Sequence, residues 1–174
     1  MSVIPTATGH RLDPLRWLGL PMVACILATI VLAAPIRIFG LQLPEPVFPL
    51  IPAFAWAVIR PSMLAPFALL LMGLFLDLFW GGVVGLWVVS LLAAYGVTFS
   101  IRRVLSGLGF WGMGGWYAVS VGVAFGLAIV MSHMQGAEVP NVFALLWQAI
   151  TALALFPLAN LLIERFEDAD VRFR

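Results

Sequence analysis

Between Ser62 and Ile101 the chain carries a single formal charge, Asp77, in a stretch otherwise dominated by Leu, Val, Ala, Phe and Gly. A soluble domain of this size cannot bury a run of that length, whereas about 20 apolar residues make one membrane-spanning helix. The stretch therefore reads as two helices in lipid. A carboxylate at the centre of such a helix costs roughly 2.5 to 3.5 kcal/mol on insertion scales, so Asp77 needs protein or water around it. It stands in the pattern Gly73-x3-Asp77-x3-Gly81-x3-Gly85, and residues four apart share a helix face. The spacing predicts a bare strip along which another helix can approach the acid. Asp77 then receives a partner helix, pairs with an arginine or lines a cavity; alternatively it lies near the outer interface beside Trp80 and reaches water.

The rest of the chain has the same character. Of 174 residues 63% are hydrophobic and 10% charged, and the mean hydropathy is +1.10. Lipid must be the solvent for most of this surface. The fold class that follows is an all-α polytopic integral membrane protein, a bundle of about six transmembrane helices. A tail at residues 1–14 precedes a single transmembrane domain at 15–163, and a charged tail at 164–174 follows it. The apolar runs are Leu15 to Ile36, Pro46 to Ile59, Ser62 to Trp80, Val83 to Ile101, Phe110 to Met131 and Val142 to Ile163. The first run also has the look of a signal peptide, with Arg11 and Arg16 before it and Val31-Leu32-Ala33 near its end. A start at Met1 favours an uncleaved helix.

The second run is the anomalous one. At about 14 residues, or roughly 21 Å as a helix, it falls short of the hydrocarbon core. Pro49 and Pro52 remove backbone donors within it, which predicts a short, Pro-interrupted helix. Irregular backbone at membrane depth survives only under cover, so this segment belongs inside the bundle. Pro157 predicts a kink in the last run. In the fifth run Ala118, Gly122 and Gly126 recur at four-residue spacing, which predicts a face packed closely on another helix.

Orientation follows from arginine, since all nine basic residues are arginine and cytoplasmic loops retain positive charge. Six spans with both termini cytoplasmic place Arg11, Arg16, Arg60, Arg102, Arg103, Arg165, Arg172 and Arg174 inside and Arg37 outside. That is eight against one. Five spans with an external N-terminus, the second run failing to cross, give seven against two.

Several function classes find no residues here. A net charge of +1 leaves no basic surface for nucleic acid. His10 and His133 lack partners at ligand spacing, so neither a metal site nor a catalytic constellation can be assembled. The glycines at 81–85 and 107–115 have no Lys-Ser/Thr or strand context for phosphate. Cys25, alone in the chain, reads as a small apolar core residue. The expectation is a protein that is not an enzyme and carries no cofactor.

Read in order, Pro46 with the apolar stretch to Trp56, the Arg60-Pro61 turn, Gly73-x3-Asp77-x3-Gly81-x3-Gly85 and the Ser90 to Tyr95 stretch (SLLAAY) resemble the bacterial rod shape-determining protein MreD family. The specific part of the resemblance covers about residues 44 to 96, and the remainder matches in hydropathy and length. Extra prolines at Pro49 and Pro52 depart from the family pattern. The resemblance implies a non-enzymatic inner-membrane scaffold of the machinery that builds the lateral cell wall. It implies direct association with the single-span protein MreC, and through it with RodA, penicillin-binding protein 2 and MreB. Gly73, Asp77, Gly81 and Gly85, with Pro46, Trp56, Arg60 and Pro61, would then form the partner or helix-packing site. Self-association is left open, because the small-residue faces that serve it look the same.

A different class has a similar size and span number: substrate-capture subunits of energy-coupling-type vitamin transporters, which Ala24-x3-Ala28 resembles in its small-residue face. That reading needs a polar pocket near Asp77. Gln148, Thr151 and Asn160 are nearly all the side chains the last run offers to one. An orphan membrane protein is the third reading.

Overall fold

A computed structural model of the chain describes residues 15–32, 37–38, 41–42, 45–59, 62–105, 107–134 and 142–171. The N-terminal tail at 1–14 and the Arg60-Pro61 turn lie outside the described residues. A π-helical turn, Leu15–Gly19, opens into α1, Leu20–Leu32. A minimal antiparallel hairpin follows, β1 Arg37–Ile38 on β2 Leu41–Gln42, with Arg37 opposite Gln42 and Ile38 opposite Leu41. The other elements are helices: α2 Leu50–Ile59, α3 Leu64–Phe79, α4 Leu86–Leu105, α5 Phe110–Met134, α6 Val142–Ala154 and α7 Phe156–Val171. The all-helical expectation holds apart from the hairpin.

At the centre is α2. Every residue from Leu50 to Ala57 is buried, the pattern of a helix enclosed on all sides. It packs on α4 and α7. The expected interruption by proline is corrected: Pro52 is the third residue of a continuous 10-residue helix, and Pro49 lies just before it. First-turn N–H groups have no intrahelical acceptor, so a missing donor there costs nothing, and the Pro49 carbonyl accepts the Ala53 N–H at 3.1 Å. Proline starts this helix. At about 15 Å it is, as expected, too short to cross the hydrocarbon core alone.

Two aromatic residues of α2 tie it to its neighbours. Trp56, fully buried, donates its indole N–H to the Trp17 carbonyl at 3.2 Å and meets the Trp17 ring edge-on at 6.4 Å. Phe54 meets the Tyr117 ring edge-on at 5.2 Å, and the Tyr117 hydroxyl donates to the Ala152 carbonyl at 3.1 Å. One short helix thus engages the turn before α1 and helix α5, and through Tyr117 of α5 it is linked to α6.

Helix α4 packs on α2, α3 and α5. Its buried Thr98 hydroxyl lies 2.8 Å from that of Ser120 on α5, each also donating to, or within reach of, the carbonyl four residues back in its own helix. In the last span the helix breaks at Leu155, between α6 and α7. Pro157 has no N–H for the Leu153 carbonyl, and the chain there tightens to three-residue bonds, Leu155 to Ala152 at 3.2 Å and Leu158 to Leu155 at 3.0 Å. The kink expected at Pro157 takes this form.

Candidate functional site: the α3–α4 joint

Helix α3 ends at Phe79, so the four-residue pattern outlasts the helix. Gly73 and Asp77 face inward from α3, whereas Gly81 and Gly85 lie in the turn with φ of 63° and 96°. The expected continuous strip is therefore corrected. A left-handed residue past the end of a helix reverses the chain, and glycine adopts it without a Cβ clash. Gly81 occupies that position, and the Gly82 N–H returns to the Asp77 carbonyl at 3.2 Å, closing the helix end.

The Asp77 side chain does the complementary job for α4. It is 1% exposed. Its Oδ2 accepts the Gly85 N–H at 2.8 Å, and its Oδ1 accepts the Trp87 N–H at 2.8 Å. The first N–H groups of a helix have no intrahelical acceptor, and the helix dipole places partial positive charge there. Asp77 supplies the acceptors from the preceding helix, in charge-assisted bonds that are stronger than neutral ones. The acid meets the positive end of a helix, and this is what offsets its burial; of the surroundings the sequence allows, a neighbouring helix is the one present.

Gly73 makes the geometry possible. A Cβ on Gly73 would lie 2.6 Å from the Val88 Cα and 2.7 Å from the Val88 nitrogen. Backbone meets backbone there, and a turn further along α3 Asp77 reaches the start of α4. Around the joint, Trp80 and Trp87 rings meet at 5.3 Å, and Trp87 meets Phe125 of α5 edge-on at 5.9 Å.

The structure adds residues that sequence reasoning missed. The Trp80 indole N–H donates to the Glu45 carboxylate at 2.5 Å, and the Gln148 side-chain amide donates to the Glu45 carbonyl at 2.9 Å. Glu45 thereby links the entry to α2, the end of α3 and α6. Its only sequence signal is its place at the edge of an apolar run, beside Pro46. Pro46 is half-buried and its carbonyl accepts the Phe48 N–H at 3.1 Å. Trp56 belongs to the α2 core and not to the joint. Arg60 and Pro61 lie outside the described residues.

The fifth-helix expectation is corrected. Ala118, Gly122 and Gly126 are all exposed, and a Cβ on Gly122 or Gly126 would meet nothing within 4 Å. Helix α5 turns its other face inward, with Tyr117, Ser120, Val121, Ala124, Phe125 and Ala128 buried. Among the described residues, no helix covers these small residues. Cys25 is buried, as a core residue would be, and His133 is exposed at the end of α5. Among the described residues, no three His, Cys, Asp or Glu side chains gather as metal ligands.

The class these features define is a helical membrane protein. Leu86–Leu105, Phe110–Met134 and Ala144–Arg165 are each long and apolar enough to cross a membrane. The outer surface has lipid chemistry: Phe67, Leu78, Val84 and Leu161 are each more than half exposed. In comparisons with known proteins, no family model, no curated protein and no solved structure matches the chain.

Proposed function

We propose that the chain is a multi-pass membrane scaffold of the cell-wall elongation machinery, which maintains rod shape by binding MreC and supporting the peptidoglycan synthases. The family resemblance is the source of this reading, and one observation favours it. The stretch that carries the resemblance coincides with the architectural centre of the molecule: α2 with Trp56, and the joint made by Gly73, Asp77, Gly81 and Gly85. Asp77, the one buried carboxylate among the described residues, has both oxygens bound to backbone N–H groups, an arrangement that holds two helices and leaves the apolar exterior to meet other proteins. The transporter reading needs free donors for a polar solute. Gln148 is bound to the Glu45 carbonyl, Thr151 to carbonyls of its own helix and Asn160 to Glu164.

The proposal includes six spans in the bacterial inner membrane with both termini cytoplasmic, α1, α2 and α3 adding to the three long helices. It is tested by depletion. Rod cells should round and lyse, and MreC should be recovered with the tagged protein. Cells that stay rod-shaped and need a vitamin supplement would overturn it in favour of the transporter subunit. Reporter fusions at Met1 and Arg174 should both read as cytoplasmic; an external N-terminus selects the five-span arrangement.

A further inference from the structure

The C-terminal end of α4 presents a cation in a setting that the cell-shape reading does not use. Arg102 and Arg103 are both in the last turn of α4. The Arg102 guanidinium lies over the Phe99 ring, 5.3 Å from its centroid, and the Phe99 ring stacks on Tyr95 with an interplanar angle of 14°. Phe99 is 42% exposed and Arg102 half-buried, so this side of the helix end faces the apolar exterior, while Leu105 beside it turns into the bundle. Among the described residues no carboxylate pairs with Arg102.

We infer that Arg102 binds the phosphate of an anionic phospholipid, whose acyl chain lies along the exposed apolar side of α4 beside Phe99. The chemistry follows from the placement. A guanidinium carries five donors and its attraction to a ring uses none of them as a hydrogen bond, so the N–H groups of Arg102 remain able to grip phosphate oxygens in bidentate fashion. The ring also lowers the freedom the side chain would lose on binding. Basic residues at a membrane surface attract anionic headgroups, and the apolar wall below supplies the contact that a free anion lacks. The inference stands apart from the proposed cell-shape role, and either can fail without the other.

The test is native mass spectrometry of the full-length protein released from nanodiscs of phosphatidylcholine mixed with phosphatidylglycerol. The wild type should retain phosphatidylglycerol over phosphatidylcholine. Arg102→Gln should lower that retention by about five-fold, the contribution of one basic residue near an anionic surface. Phe99→Leu keeps an apolar surface and the charge but removes the ring under the guanidinium, so it should give a smaller loss. It also provides the readout should Arg102→Gln fail to accumulate. Arg102→Lys should retain part of the preference. Inorganic phosphate at millimolar concentration should not compete. Retention unchanged in both Arg102→Gln and Phe99→Leu would overturn the inference, as would full displacement of the lipid by inorganic phosphate.

Discussion

Asp77 and Trp87 are joined across the α3–α4 turn by a 2.8 Å hydrogen bond from the Trp87 N–H to Oδ1, while Oδ2 accepts the Gly85 N–H at the same distance. One carboxylate from the end of one helix thus satisfies the start of the next. The main-chain carbonyl of Asp77 meanwhile takes the Gly82 N–H. The residue fixes both ends of the turn it spans.

Asp77→Ala leaves two N–H groups without acceptors in a mostly buried place. The expected cost is about 2 to 6 kcal/mol, since each unsatisfied buried donor costs about 1 to 3. Asp77→Asn retains one acceptor but turns an NH2 group toward the other N–H, donor against donor, and loses the charge at the helix start; about 1 to 2 kcal/mol is expected. Thermal unfolding in detergent should therefore rank wild type above Asn above Ala. Equal melting of wild type and Asp77→Ala would mean that the two bonds do not hold the joint.

Gly73→Ala tests the close approach by itself. Its Cβ would meet Val88 backbone at 2.6 Å, and backbone cannot swing aside as a side chain can. The helices must separate, at about 1 to 3 kcal/mol, and separation also lengthens the Asp77 bonds. A double variant, Gly73→Ala with Asp77→Ala, should therefore cost less than the sum of the single changes. Strict additivity in unfolding would show that the two residues act independently.

Gly81 calls for a different experiment, because the space around it is open and only its backbone is constrained. A residue with a Cβ at φ of 63° is strained by roughly 1 to 2 kcal/mol, least for Asn and most for a β-branched residue. Folded yield should fall in the order Gly, Asn, Ala, Val. If Gly81→Val accumulated and melted as the wild type does, the left-handed turn would not be required.

The limits of the sequence are physical and can be seen residue by residue. Apolar runs locate helices because lipid demands them, and the run expected at Ser62 to Trp80 corresponds to α3 at Leu64–Phe79. The burial of α2 followed from its being too short and too proline-rich to stand in lipid. What composition does not reveal is which face of a spanning helix meets protein, since lipid and core are both apolar. The spacing of Gly73 and Asp77 looked the same as that of Gly122 and Gly126, yet one pair is buried and the other exposed. Nor does any sequence signal mark a backbone N–H as the partner of an acid, or bring Gln148 to Glu45 across 103 positions.

That contrast gives the last prediction, at Gly122. The residue is exposed and a Cβ there touches nothing within 4 Å, so Gly122→Leu should fold and melt as the wild type does, within about 0.5 kcal/mol, the range of surface changes away from special features. The spacing alone predicts a face packed on another helix, where a leucine would be damaging. Gly73→Ala, with a side-chain change of a single methyl, should be the more damaging of the two. Measuring both in the same detergent removes differences of extraction from the comparison. A lower melting temperature for Gly122→Leu than for Gly73→Ala would mean that α5 turns its small residues inward after all, and that the packing described for α4 and α5 is wrong.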